Sequence, residues 1–160
     1  MIIKQFKIQN YSAGFTLIEL IVVLAVAAVI SLVGIAAFVL YSQSQSLNAT
    51  AADIANMFNV AKSRAASGVK PSSCVSQTLS GYKISLVTSG DTYGLYAVCS
   101  SGDYGILAGK LRSNIAFDPT SSETFFFPVL TGGFTGEGTI VLNGFGQTKT
   151  ITVDSLGNVR

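Results

Sequence analysis

Few residues in this chain could do chemistry, and their types narrow the choice quickly. Histidine is absent, which removes the commonest metal ligand and the commonest general base. The many serines therefore have no imidazole to activate them. The carboxylates of Asp91, Asp103, Asp118, Glu123, Glu137 and Asp154 are scattered, and Asp103 and Asp118-Pro119 read as turn residues. Gly105 to Leu111 faintly echoes a phosphate-binding loop, but it is one residue short and has no Ser or Thr after Lys110. Two cysteines, Cys74 and Cys99, are too few for a metal site without histidine. They are a disulfide or two buried thiols. Neither an enzyme nor a cofactor is expected. One ionisable residue stands out of place: Glu19 lies inside an apolar run.

The elements around Glu19 explain why that matters. The chain has 160 residues, 49% apolar but only 11% charged, less than half the usual share of charge. That composition excludes a disordered tail, a nucleic-acid binder built on basic patches and a coiled coil with charged flanks. The apolar residues are concentrated: 23 of the 27 residues from Phe15 to Tyr41 are apolar, the exceptions being Thr16, Glu19, Ser31 and Gly34. Such a run exceeds the roughly 20 residues needed to span a bilayer. It is also longer than a secretory apolar region of about 7–15 residues. Lys4 and Lys7 precede it and no acid does, which places the N-terminus in the cytoplasm and the rest outside. Without residues 1–14, eight basic side chains (10 − 2) balance eight acidic ones. A carboxylate within a spanning segment is costly and marks function.

The string Gly14-Phe15-Thr16-Leu17-Ile18-Glu19-Leu20, behind a short basic leader and ahead of a long apolar stretch, closely resembles the signal of type IV prepilins and type II secretion pseudopilins. The resemblance implies a role for each residue. A membrane aspartyl peptidase cuts between Gly14 and Phe15, where glycine leaves the backbone open to close approach. The same enzyme methylates the new amine of Phe15. Glu19 then attracts the Phe15 ammonium of a neighbouring subunit during filament assembly. The implied partners are this prepilin peptidase, other pilin or pseudopilin subunits through helix 1, an inner-membrane assembly platform, and membrane lipid before assembly.

Helical periodicity continues past Tyr41. Leu47, Ala51, Ile54, Phe58, Ala61 and Ala65 step by 4, 3, 4, 3, 4 along one face, with Asn48, Asp53, Asn56, Lys62 and Ser63 opposite. Lys62 and Arg64 suit the negative end of the helix dipole, and Gly68 and Pro71 stop the helix. One helix from Phe15 to about Ala66 would be roughly 80 Å long; the alternative is two helices broken at Ser42–Ser46. Beyond Ser73 short strands are expected at Cys74–Leu79, Tyr82–Thr88, Tyr93–Cys99, Asn114–Phe117, Glu123–Phe127, Gly138–Leu142 and Lys149–Val153. Turns fall at Ser89-Gly90-Asp91 and at Asn143-Gly144-Phe145-Gly146. The expected fold class is α+β: a pilin fold, its long N-terminal helix packed on an antiparallel sheet. The divisions are a leader at 1–14, a membrane or filament-core half-helix at 15–41, an amphipathic half at 42–68 and a β-rich head at 72–160. Outside the cytoplasm, a Cys74–Cys99 disulfide would close a loop of about 25 residues and stabilise by roughly 3 kcal/mol.

A narrower resemblance is to the H-type (GspH-like) minor pseudopilins and FimT-type minor pilins. It rests on the helix end from Ile54 to Gly68, on Lys70-Pro71 and Cys74 after it, on Phe125-Phe126-Phe127-Pro128 before Gly132-Gly133, and on Thr150 to Val159. No proline interrupts the apolar segment, which leans towards a minor subunit. The resemblance implies a single-pass inner-membrane protein, head outside, that later enters a pilus or pseudopilus as a structural subunit. The alternatives are a major or DNA-uptake pilin, and a membrane-anchored binding module that never polymerises. A spatial cluster of Lys62, Arg64, Lys83 and Lys110 would favour nucleic acid.

Overall fold

The computed structural model describes residues 14–160 except 132, 136 and 137. Lys4 and Lys7 lie outside the described residues, as do Gly132 and Glu137. Helix α1 spans Leu17–Ser67, 51 residues, and passes through Ser42–Ser46 without a break. The chain divides into two compact units, residues 1–40 and 41–160.

In the first unit the helix has no core of its own. Its large apolar side chains are exposed on every face, from 77% at Leu17 to 44% at Val39. The Ser31 hydroxyl is satisfied locally, donating to the Ala27 carbonyl at 2.7 Å. A helix apolar all round is a helix meant for burial in lipid or among other helices.

In the second unit the predicted stripe is the buried one. Leu47, Ala51, Ile54, Phe58, Ala61 and Ala65 are all buried, and Thr50 and Met57 join them. The Thr50 hydroxyl escapes an unpaired burial by donating to the Ser46 carbonyl at 3.0 Å. Two bonds end the helix: Gly68 N–H to Ala65 O and Val69 N–H to Arg64 O, both 3.2 Å. Gly68 sits at φ 62°, the left-handed conformation that closes this pairing at little cost for glycine. Leu130 N–H caps the Ala65 carbonyl again at 2.9 Å.

After a 3₁₀ turn at Ser72–Cys74 come seven strands: β1 Leu79–Leu86, β2 Thr92–Cys99, β3 Gly102–Lys110, β4 Ile115–Phe117, β5 Thr124–Pro128, β6 Gly138–Gly144 and β7 Gln147–Val153. All named pairings are antiparallel. They form two sheets, one in the order β3-β2-β1-β5 and one in the order β4-β6-β7. The β6–β7 hairpin turns at Phe145 and Gly146, φ 55° and 73°, the primed turn that matches strand twist.

Tyr82, Ile84, Leu95, Ala97, Phe125 and Phe127 fill the core from the first sheet, with Ile140, Leu142, Ile151 and Val153 from the second. Phe58 brings α1 onto this core, its ring edge-on to Phe125 and Phe127.

Several expectations change. Cys74 ends a 3₁₀ turn rather than starting a strand, because Pro71 fixes an extended entry and the Cys74 N–H closes the turn onto the Pro71 carbonyl. Asp103 is not a turn residue; it lies in β3, a strand the glycine-rich sequence did not announce. One sheet was expected and two are present, because β4 pairs with β6 and not with β5.

Candidate functional site

The candidate site is the start of α1. Thr16 precedes the helix, its carbonyl accepting the Leu20 N–H at 3.2 Å and its hydroxyl oxygen the Glu19 N–H at 3.3 Å. That is a helix N-cap, and Thr16-Leu17-Ile18-Glu19 has the spacing of a capping box. Glu19 lies in the first turn, where the helix dipole favours a carboxylate. The Thr-x-x-Glu spacing is visible in the sequence, so Thr16 could have been read as the residue that fixes where the helix begins.

Just before the cap, Gly14 and Phe15 are outside the helix and exposed. Nothing lies within 4 Å of where a Gly14 Cβ would stand. Among the described residues, nothing therefore crowds the Gly14 side of this bond, which lies just before the start of α1. The Glu19 side chain is exposed, among the apolar side chains of Phe15, Leu17, Ile18 and Leu20. The arrangement presents one exposed peptide and, a turn away, one carboxylate on an apolar surface.

The two cysteines do come together. Cys74 and Cys99 form a disulfide with Cα atoms 6.0 Å apart, 25 residues apart in sequence. It fastens the turn after α1 to the end of β2. Gln77 completes the corner: its amide nitrogen donates to the Tyr104 hydroxyl at 3.2 Å, and its oxygen accepts the Ser101 N–H at 3.2 Å. The donated hydrogen bonds from Gln77 and then Ser101 hold the Tyr104 phenol below its ordinary value.

Of the four cations considered as a cluster, three have separate side-chain partners. Lys62 donates to the Asn158 side-chain oxygen at 2.6 Å. Lys83 pairs with Asp103, and Lys110 with Asp91 at 3.1 Å. Arg64 lies in the last turn of α1, at the negative end of the dipole. Among the described residues no group of three or more Cys, Asp or Glu could hold a metal ion.

Residues 9–37 match the family model described as the prokaryotic N-terminal methylation motif. The fold is similar to the solved structure of the minor pseudopilin EpsH from the type 2 secretion system of Vibrio cholerae, with a TM-score of 0.54 and 12% identity, over 72% of this chain and 94% of that one. No curated protein matches the sequence significantly.

Proposed function

We propose that this chain, which carries a prepilin-type methylation motif on a pilin-like fold, is a minor structural subunit of a type II secretion pseudopilus or type IV pilus. Residues 1–14 are a leader removed between Gly14 and Phe15, and the Phe15 amine is methylated. Residues 15–41 hold the protein in the inner membrane and then enter the filament core. Residues 42–68 and 72–160 are the amphipathic half-helix and the head outside the cytoplasm.

One observation carries this reading. Every large apolar side chain from Phe15 to Tyr41 is exposed, so the segment needs an apolar environment from elsewhere. Lipid supplies it first, and the same segments of other subunits supply it later. Within that environment Glu19 needs a positive partner, and the Phe15 ammonium of a neighbour is one. The engagement of Lys83 and Lys110 with carboxylates favours a structural role over DNA uptake.

Mass spectrometry of the mature N-terminus from the native host tests the reading. The expected species begins at Phe15 and is one methyl group heavier than the unmodified chain. A mature chain that still begins at Met1, in a host with an active peptidase, overturns it.

A further inference from the structure

The segment between α1 and β1 is fastened to the head by a single bond. Of residues 70–76, Cys74 alone is buried. Among the described residues, the hydrogen bonds of 70–76 stay within the segment or reach only its end at Gln77. The Cys74 N–H donates to the Pro71 carbonyl at 2.9 Å, the Val75 N–H to the Ser72 carbonyl at 3.3 Å and the Gln77 N–H to the Cys74 carbonyl at 2.9 Å. The Lys70 ammonium donates to the Val75 carbonyl at 3.3 Å. These bonds shape the turn but do not tie it to a sheet or to α1; the Cys74–Cys99 disulfide does. The chain is anchored again on either side. The Tyr82 hydroxyl donates to the Val69 carbonyl, and the Ser100 N–H to the Thr78 carbonyl at 3.0 Å.

The other end of the disulfide is fixed. Cys99 ends β2, an inner strand, and pairs with Leu79 of β1 on one side and Gly102 of β3 on the other. Both cysteines are buried, Cys74 at 0% and Cys99 at 5% exposure. Two thiols need more room than a bonded pair, because unbonded sulfurs stop at van der Waals contact. In a close-packed interior that room comes from movement of whatever is held least. Here β2 is held along both edges, and the segment 70–76 is not.

We propose that Cys74 and Cys99 form a redox latch: reduction by a dithiol frees residues 70–76 as a loop anchored at Val69 and Thr78, while both sheets and the packed half of α1 stay folded. One thiolate of the dithiol attacks Cys74 Sγ, on the movable side, and Cys99 leaves as a thiolate. The second thiolate of the dithiol then attacks the reagent sulfur bonded to Cys74. That frees the Cys74 thiolate and releases the reagent as a cyclic disulfide. Two electrons pass to the protein, and the two protons given up by the dithiol end on Cys74 and Cys99. Because both cysteines are buried, the first attack waits on a shift of the segment and not on unfolding of the head. The latch is a property of the head and does not depend on filament assembly.

The test uses the full chain in detergent at neutral pH, with excess dithiothreitol and no denaturant. Reduction should go to completion, read by thiol alkylation and intact mass, with the far-ultraviolet circular dichroism unchanged. Amide hydrogen exchange should then quicken by at least about tenfold at Cys74, Val75 and Gln77, with the amides of β1 and β2 still protected. Phe58→Leu separates local from global opening. It weakens the whole head, so a bond reached only through unfolding should be reduced about tenfold faster in this variant. The latch gives the wild-type rate instead. Faster reduction of Phe58→Leu overturns the proposal, as does reduction that opens the amides of β1 and β2 to exchange. So does unchanged exchange at Cys74, Val75 and Gln77 once the thiols are free, or a bond that stays intact until denaturant is added.

Discussion

Phe58 of the helix meets Phe125 of β5 edge-on, their ring centroids 4.9 Å apart and their planes at 72°. This contact joins α1 to the first sheet at a point where both rings are almost wholly buried. Edge-to-face aromatic pairs add to the burial of apolar area. Phe58→Ala should therefore destabilise the head by about 3–5 kcal/mol, read as a fall in the urea midpoint with an unchanged slope. Phe38, 69% exposed, is the control: Phe38→Ala should leave that midpoint where it is. Equal midpoints for the two variants would mean that the helix does not rest on Phe125.

The Cys74–Cys99 bond ties a turn whose side chains are mostly exposed. Cys74 is buried, but its neighbours Ser72, Ser73, Val75 and Ser76 are exposed. Closing a loop of about 25 residues should be worth roughly 3 kcal/mol. The double variant Cys74→Ser, Cys99→Ser should accordingly unfold about 10 °C lower, since each kcal/mol shifts the melting temperature of a domain the size of the 41–160 unit by about 3–4 °C. Intact mass should rise by about two hydrogens on reduction of the denatured wild type, since each disulfide takes up two. An unchanged mass would show two thiols.

How much of this was legible in the sequence depends on whether the signal was local. The helix face from Leu47 to Ala65 was readable because one side chain in three or four recurs on the buried side. The β6–β7 turn was readable because Gly146 follows Phe145 at a two-residue loop. Strand β3 was not. It has three glycines and one β-branched residue, and a register irregularity opposite Leu95 and Tyr96 breaks its alternation. Its extended form comes from pairing with β2, whose Tyr93 and Tyr96 rings lie beside Gly109 and Gly105. That is a tertiary cause with no trace in β3 alone. At the candidate site the Gly-Phe-Thr-Leu-Ile-Glu string was conspicuous, but its second meaning, a helix cap at Thr16, was masked by the first. The two sheets could not be told from one, because which strand pairs with which is set by distant partners such as β4 and β6.

Acid should loosen the head. The Asp154 carboxylate accepts the Asn158 N–H at 2.8 Å, the Asn158 side-chain amide at 3.0 Å and the Leu156 N–H at 2.9 Å. These bonds, those from Asn158 first, hold it below the usual carboxylate range. Asp118 is lowered likewise, first by Thr120 and then by Asn143. A carboxyl depressed in the folded state contributes stability above its unfolded value of about 3.9, and that contribution is lost as pH falls through the folded value. The melting temperature followed by circular dichroism should hold steady from neutral pH and fall below about pH 4. Asp154→Ala should start lower at neutral pH and fall less. Parallel curves for the two proteins would remove Asp154 from the account.

Glu19 offers the sharpest separation of processing from assembly. It sits one turn beyond the Gly14–Phe15 bond, its backbone N–H held by the Thr16 cap and its side chain exposed on an apolar helix. In the function proposed above, cleavage would use the peptide after Gly14, and assembly would pair Glu19 with the new ammonium of Phe15 in a neighbouring subunit. In an apolar filament core, removing one member of an ion pair leaves the other uncompensated, at a cost of about 3–5 kcal/mol. Glu19→Ala should be cut and methylated at the normal rate, and its absence from sheared filaments should be complete or nearly so. Glu19→Gln keeps shape and hydrogen bonding but not charge, so it should fail in the same way. If Glu19→Gln enters filaments like the wild type, the carboxylate acts through its hydrogen bonds and not its charge. If Glu19→Ala does too, the residue serves only to start the helix.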